Sequence, residues 1–188
     1  MCEEIENHGF TVTGGLSNDK ASMSRDELAE YKFPEEPVDA VVVGLDNEFN
    51  YRKLCISNVL LQRNPKALLV STNQDAFDLI GADARHLPGN GCLVKCIEHG
   101  SGRTAINVGK PSSILADLIV AEHWLDPSRT LFVGDRLDTD IKFGKNTGMK
   151  TALVMTGVTS TAILQAIGEG TDEEPLPTMI LPFMGLLA

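Results

Sequence analysis

The order of segments between Ala105 and Met155 leaves few folds open. Ala105 to Val108 is a short apolar run, and Pro111 stands at a favoured first helical position ahead of a helix reaching about Trp124. Thr130 to Val133 is apolar again, Ile141 to Asn146 begins a helix ended by Gly148, and Thr151 to Met155 returns to strand. Strand, helix, strand, helix, strand within about fifty residues predicts a parallel sheet, because parallel neighbours need a crossover connection. Met179 to Leu181 offers one further short strand.

Upstream the pattern is less regular. Cys2 to Asn7 suits a helix, and Phe10 to Thr13 a short strand. Residues 15–37 are polar and broken by glycine and proline, which predicts a loop that includes one helical turn. Val38 to Gly44 is a β-branched run fit for a strand buried on both faces. Tyr51 to Gln62 reads as an amphipathic helix and Ala67 to Ser71 as a strand. A long irregular loop is expected over residues 72–91, then a short helix at Cys92 to Glu98.

Charge narrows the functions. The 188 residues hold 16 Lys and Arg against 26 Asp and Glu, a formal charge of -10, which repels a nucleic-acid backbone and makes such a partner unexpected. Any anionic ligand needs local positive charge. The four cysteines lack a paired C-x-x-C framework and read as buried thiols of a reducing compartment. No apolar run approaches the ~20 residues that span a bilayer, and MCEEIENHGF is too acidic for a signal or transit peptide. A cytoplasmic location without membrane attachment is therefore expected.

Ligands of parallel sheets collect beyond the carboxyl ends of the strands. Lys110 follows the run Ala105 to Val108, and Asp135 follows Thr130 to Val133, so neighbouring strands would bring both to one rim. Asp140 falls in the first turn of the next helix, from which a carboxylate can turn back toward Asp135. A lysine and two acids on one rim suit Mg²⁺ with a phosphate: the ion takes one or two carboxylates, keeps waters and accepts a phosphate oxygen. The plainer alternative stays open, because Asp also caps helices and starts turns at strand ends. Asp138 fits that alternative as a solvated loop residue.

"VGKPS" at 108–112 followed by "VGDRLDTDI" at 133–141 resembles the third and fourth motifs of the haloacid dehalogenase superfamily. The likeness is to its branch of phosphoglycolate, pyridoxal phosphate and 4-nitrophenyl phosphatases. "VVVGLDNEFNYRKL", "LVSTNQDA" and "LPGNGCLVKCIEHGSGR" are similar to that branch's cap domain, and "TGVTS" at 156–160 to the segment after the fourth motif. The resemblance implies an α/β fold: a cap-like α/β domain over residues 1–104, N-terminally incomplete, and a partial Rossmann-like parallel-sheet core over residues 105–188. It implies a magnesium-dependent phosphomonoester hydrolase acting on a small phosphorylated metabolite, with a homodimer through the cap left open.

By position, the resemblance makes Lys110 the catalytic lysine that steadies the phosphoryl group, Asp135 the principal Mg²⁺ carboxylate, and Asp140 a direct or water-mediated second acid. It places Asn73, Asp75 and Asp78 in a substrate-facing cap loop, and leaves Arg136 and Thr139 as braces of the metal loop. His86 and His99 receive no role. Relatives of this kind attack phosphorus with an aspartate in a D-x-D-G strand ahead of the cap, and no D-x-D-G occurs in these 188 residues. No nucleophile is assigned; Asp46 in "VVVGLDNE" lacks the second acid and the glycine. The chain is expected to be incomplete or inactive alone, with Leu131 to Val133 a bare sheet edge. The alternatives are a non-catalytic binding or cap-mediated dimerisation protein and, less consistent with the order of Lys110 and Asp135, a receiver-like phosphoacceptor.

Overall fold

The computed structural model describes residues 1–13, 23–33, 37–81, 83–168 and 176–187. The chain forms two compact units, Met1–Asn107 and Val108–Ala188. Both are α/β, with parallel three-stranded sheets.

In the first unit, α1 (Cys2–Asn7) and α2 (Arg25–Glu30) precede β1 (Ala40–Val43), α3 (Tyr51–Arg63) and β2 (Leu68–Ser71). A hairpin of β3 (Phe77–Ile80) and β4 (Arg85–Pro88) leads into α4 (Asn90–Ser101) and β5 (Ile106–Asn107). Side chains close the helix ends: Ser24 and Glu27 form a reciprocal capping box on α2, and the Asn50 side chain accepts from Lys53 N–H at the start of α3. Arg103 donates to the carbonyls of Leu61, Asn64 and Pro65, satisfying acceptors that the end of α3 leaves open.

The sheet order is β1-β2-β5, all parallel. Val43, Leu61, Ala67, Leu69, Val94 and Ile97 make one core between the sheet and helices α3 and α4. The strands alternate rather than burying both faces. Val43 is buried while Val42 is exposed, and Leu69 is 3% exposed beside Leu68 at 50%. β1 is thus a half-buried strand, contrary to its continuous apolar sequence, because both packed helices serve the same face.

Three other expectations fail in this unit. Phe10 to Thr13 forms no strand. Residues 72–91 are not irregular throughout: "FDLI" pairs antiparallel with "RHLP", and Gly81 and Ala84 take the left-handed conformation that the turn requires. Cys92 and Cys96 lie exposed on α4 rather than buried, and Cys2 and Cys55 are half-buried.

The second unit holds α5 (Ser113–His123), β6 (Leu131–Gly134), α6 (Lys142–Asn146), β7 (Lys150–Val154), α7 (Thr161–Gly168) and β8 (Met179–Leu181). Ser112, not Pro111, begins α5, its hydroxyl accepting from Ile114 N–H; the proline lies outside the helix. The parallel order β6-β7-β8 leaves β6 paired only with β7 among the described residues. The anticipated neighbour of β6 is absent from this sheet: β5 pairs with β2 in the first unit, Ile106 opposite Val70. Leu137, Ile141 and Leu153 form the local core. No helix among the described residues is long and apolar enough to cross a membrane.

Candidate active site

The loop after β6 does not enter an α-helix directly. Residues Leu137–Ile141 form one wide π turn in which Ile141 N–H bonds the carbonyl of Arg136 at 3.0 Å. Such widened turns recur at functional sites. Here the turn folds Asp140 back over the strand end, 3% exposed. Its Oδ2 accepts from the backbone N–H groups of Asp135 and Arg136 at 3.0 and 3.1 Å, and its Oδ1 meets Lys110 Nζ at 2.6 Å. Lys110, delivered by the loop before α5, is 43% exposed and so reaches both the buried carboxylate and solvent.

Asp135 is half-buried and turns differently. Its Oδ2 accepts from Val158 N–H at 2.7 Å, while its own carbonyl accepts from Thr159 N–H at 3.1 Å. Its Oδ1 has no protein partner among the described residues. Two glycines create the room. A Cβ at Gly134 would run into the carboxyl group of Asp140, and one at Gly157 would overlap that of Asp135.

The structure therefore brings Lys110, Asp135 and Asp140 into one small network, but gives the two acids different surroundings. Asp140 has both oxygens engaged, which makes it an anchor for the lysine and the strand-end loop. Asp135 keeps one carboxylate oxygen open. Lys110 follows β5 as expected, but β5 is hydrogen-bonded to β2 and not to β6.

Of the two neighbours expected to brace the loop, Arg136 grips it through its side chain, and Thr139 shows no such bond among the described residues. Arg136 is 9% exposed and grips Asp138 through Nε and Nη2 at 3.2 and 3.1 Å, while the Asp138 side chain is 57% exposed. Thr139 is buried, with no partner for its hydroxyl among the described residues.

Asn73, Asp75 and Asp78 belong to the first unit. Asn73 Oδ1 accepts from Asp75 N–H, and the carbonyls of Asn73 and Asp75 receive the Asn90 side chain and Gly91 N–H at 2.8 and 2.9 Å. Asp78 is exposed on β3. Asp46 is fully committed: one oxygen meets Lys53 Nζ at 2.6 Å and the other accepts from Glu48 N–H. Burial pushes its carboxyl up, but Lys53 and the Glu48 N–H outweigh this and hold it below the usual range. His86 stacks on Phe77 with ring centroids 4.0 Å apart, and His99 is exposed.

Sequence reasoning missed Gly134, Gly157 and the N–H groups of Val158 and Thr159. "TGVTS" signalled that residues 156–160 matter, but not that their backbone grips Asp135.

The segment that carries this network resembles known proteins. The profile described as HAD-hydrolase-like matches residues 107–181. Phosphoglycolate phosphatase 2 of Arabidopsis thaliana is 41% identical over 177 residues, covering 93% of this chain and 57% of that protein. Glycerol-3-phosphate phosphatase of Gallus gallus is 49% identical over 129 residues, 68% of this chain and 41% of the relative. Among solved structures, a 4-nitrophenylphosphatase from Thermotoga maritima superposes with a TM-score of 0.69 at 29% identity, covering 86% of this chain and 58% of that one. The chain thus spans about half the length of the curated relatives it matches. Over residues 107–181, the stretch that holds the lysine, the two acids and the two glycines, the chain matches the haloacid dehalogenase-like hydrolase family, and it is similar to that family's phosphoglycolate and 4-nitrophenyl phosphatases.

Proposed function

We propose that these residues supply the cationic and metal-carboxylate side of a magnesium-dependent phosphomonoesterase site, for a small substrate such as phosphoglycolate or 4-nitrophenyl phosphate. The observation that carries this reading is the unequal treatment of the two acids. Asp140 is spent on Lys110 and backbone N–H groups, whereas Asp135 retains one open oxygen.

That donor set fits Mg²⁺, which takes one or two carboxylates and completes its shell with water and phosphate oxygens. Asp135 would be the carboxylate that holds the ion, and Asp140 would act on it through the loop they share. When bound, the ion supplies Lewis-acid charge at a phosphate oxygen. Lys110 binds the same dianion as a compact point charge, held in place by Asp140. In a chain of net charge -10 it is local positive charge of the kind an anionic substrate requires.

Phosphoryl transfer in this branch also needs an aspartate nucleophile, and no D-x-D-G occurs in these 188 residues. Asp46 does not replace it, because both its oxygens hold their own loop. Binding without turnover is therefore the behaviour expected of these residues by themselves. This same observation favours the second reading, a non-catalytic binding or cap-mediated dimerisation protein.

Calorimetric titration with inorganic phosphate tests the proposal. Binding should require Mg²⁺, vanish in Asp135→Asn and weaken in Lys110→Met; phosphate binding indifferent to Mg²⁺ and to Asp135 defeats it. Mg²⁺-dependent hydrolysis of 4-nitrophenyl phosphate by the chain, lost in Asp135→Asn, would eliminate the non-catalytic reading. A dimer through the first unit and a cytoplasmic location belong to the proposal too, the former open to light scattering.

A further inference from the structure

We propose that Gly157 and Val158 are positioning residues that fix the direction in which the Asp135 carboxylate offers its unbonded oxygen to a divalent cation, an inference that rests on the magnesium reading above. The turn at 157–159 grips Asp135 twice, by Val158 N–H on Oδ2 and Thr159 N–H on the main-chain carbonyl. The first of these bonds fixes the plane of the carboxylate, so the oxygen it does not engage, Oδ1, is held in one direction and has no protein donor among the described residues.

Gly157 is required for space, not for conformation. Its φ lies outside the left-handed range, so alanine is allowed by the backbone, yet the three atoms nearest an added Cβ all belong to Asp135. An alanine there meets Oδ2 first and must drive the carboxylate off Val158 N–H. The tight turn and the open oxygen are thus one device: a hydrogen bond on one carboxylate oxygen fixes the direction of the other, as outer partners of metal ligands do.

The experiment follows Mn²⁺ binding by electron paramagnetic resonance, using an ion that favours the same oxygen donors. The wild-type chain should bind Mn²⁺, and Gly157→Ala, with an unchanged circular dichroism spectrum, should bind it about tenfold or more weakly. Thermal unfolding supplies the second measurement. Gly157→Ala should lower the midpoint in the wild-type background and cost much less in Asp135→Gly, where the three atoms nearest the added Cβ are gone. Should Gly157→Ala fail to fold, Asp135→Gly should rescue it.

Equal Mn²⁺ affinity in wild type and Gly157→Ala overturns the positioning role while leaving the magnesium reading intact. Loss of stability of the same size in both backgrounds, or absence of rescue, overturns the grip on Asp135. A wild-type chain that binds no Mn²⁺ overturns the magnesium reading itself, and the ligand-presenting role with it.

Discussion

Lys110 Nζ lies 2.6 Å from Asp140 Oδ1 across thirty residues of sequence, and it meets a carboxylate whose other oxygen is already held by two backbone N–H groups. The pair is asymmetric. The acid is 5% exposed at its side chain and the lysine 43%. Removing the acid strips three donors of their shared acceptor, whereas removing the cation leaves the carboxylate on its two N–H groups.

Asp140→Ala should therefore cost about 2–3 kcal/mol, the scale of lost hydrogen bonds to a buried charged group. Lys110→Met should cost less than about 1 kcal/mol, because solvent screens a half-exposed ammonium. Urea unfolding of both variants measures the order. Equal losses would show that the ion pair, and not the backbone anchoring of Asp140, dominates.

The one-sided packing of the first unit makes a second prediction from adjacent residues of β2. Leu69→Ala should destabilise by about 2–4 kcal/mol, as for other large-to-small core changes. Leu68→Lys, next to it on the open face, should stay within about 0.5 kcal/mol. Comparable losses at both positions would mean that the open face is covered in solution.

Much of this was legible in the sequence, for physical reasons that differ along the chain. Tyr51 to Gln62 reads as a helix, observed as Tyr51–Arg63, because its apolar residues recur at helical spacing, and β6, β7 and β8 read as strands because short apolar runs end at Gly134, Thr156 and Pro182. Lys110 and Asp135 could be singled out because each follows such a run, and Asp140 because it falls in the first turn of the helix expected next. Pairing partners could not be read. Apolar β-branched runs look alike whichever strand lies beside them, so the two-residue β5 was assigned to the wrong sheet. The hairpin at Phe77–Pro88 was hidden because its strands are largely exposed and carry little apolar alternation. The grip of Val158 on Asp135 comes from the main chain, and backbone N–H groups leave no residue-type signature.

Glu98 links stability to pH. The Ala105 N–H, and after it the Lys95 ammonium, hold its carboxyl below the usual glutamate range. A depressed folded-state value means the stabilisation is complete above the ordinary glutamate pKa and drains away as pH falls through the lower folded value. Between about pH 5 and pH 3 the urea midpoint of the wild type should therefore drop more steeply than that of Glu98→Gln, the two converging at the acid end. Parallel curves across that interval would remove Glu98 from the acid response.

Gly134 tests the other half of the site. It is the last residue of β6, and a Cβ there would collide with Cβ, Cγ and Oδ2 of Asp140. Gly134→Ala should push the carboxylate away from the N–H groups of Asp135 and Arg136 and loosen its contact with Lys110, at a cost of about 1–3 kcal/mol typical of overpacking. Part of that cost falls on the carboxyl group that Asp140→Ala removes, so the double variant should be more stable than the sum of the single losses predicts, by about 1 kcal/mol. Strict additivity in urea unfolding would show that the glycine serves the strand end alone, and that the close approach of Asp140 to the backbone at 134 is not what fixes the lysine's partner.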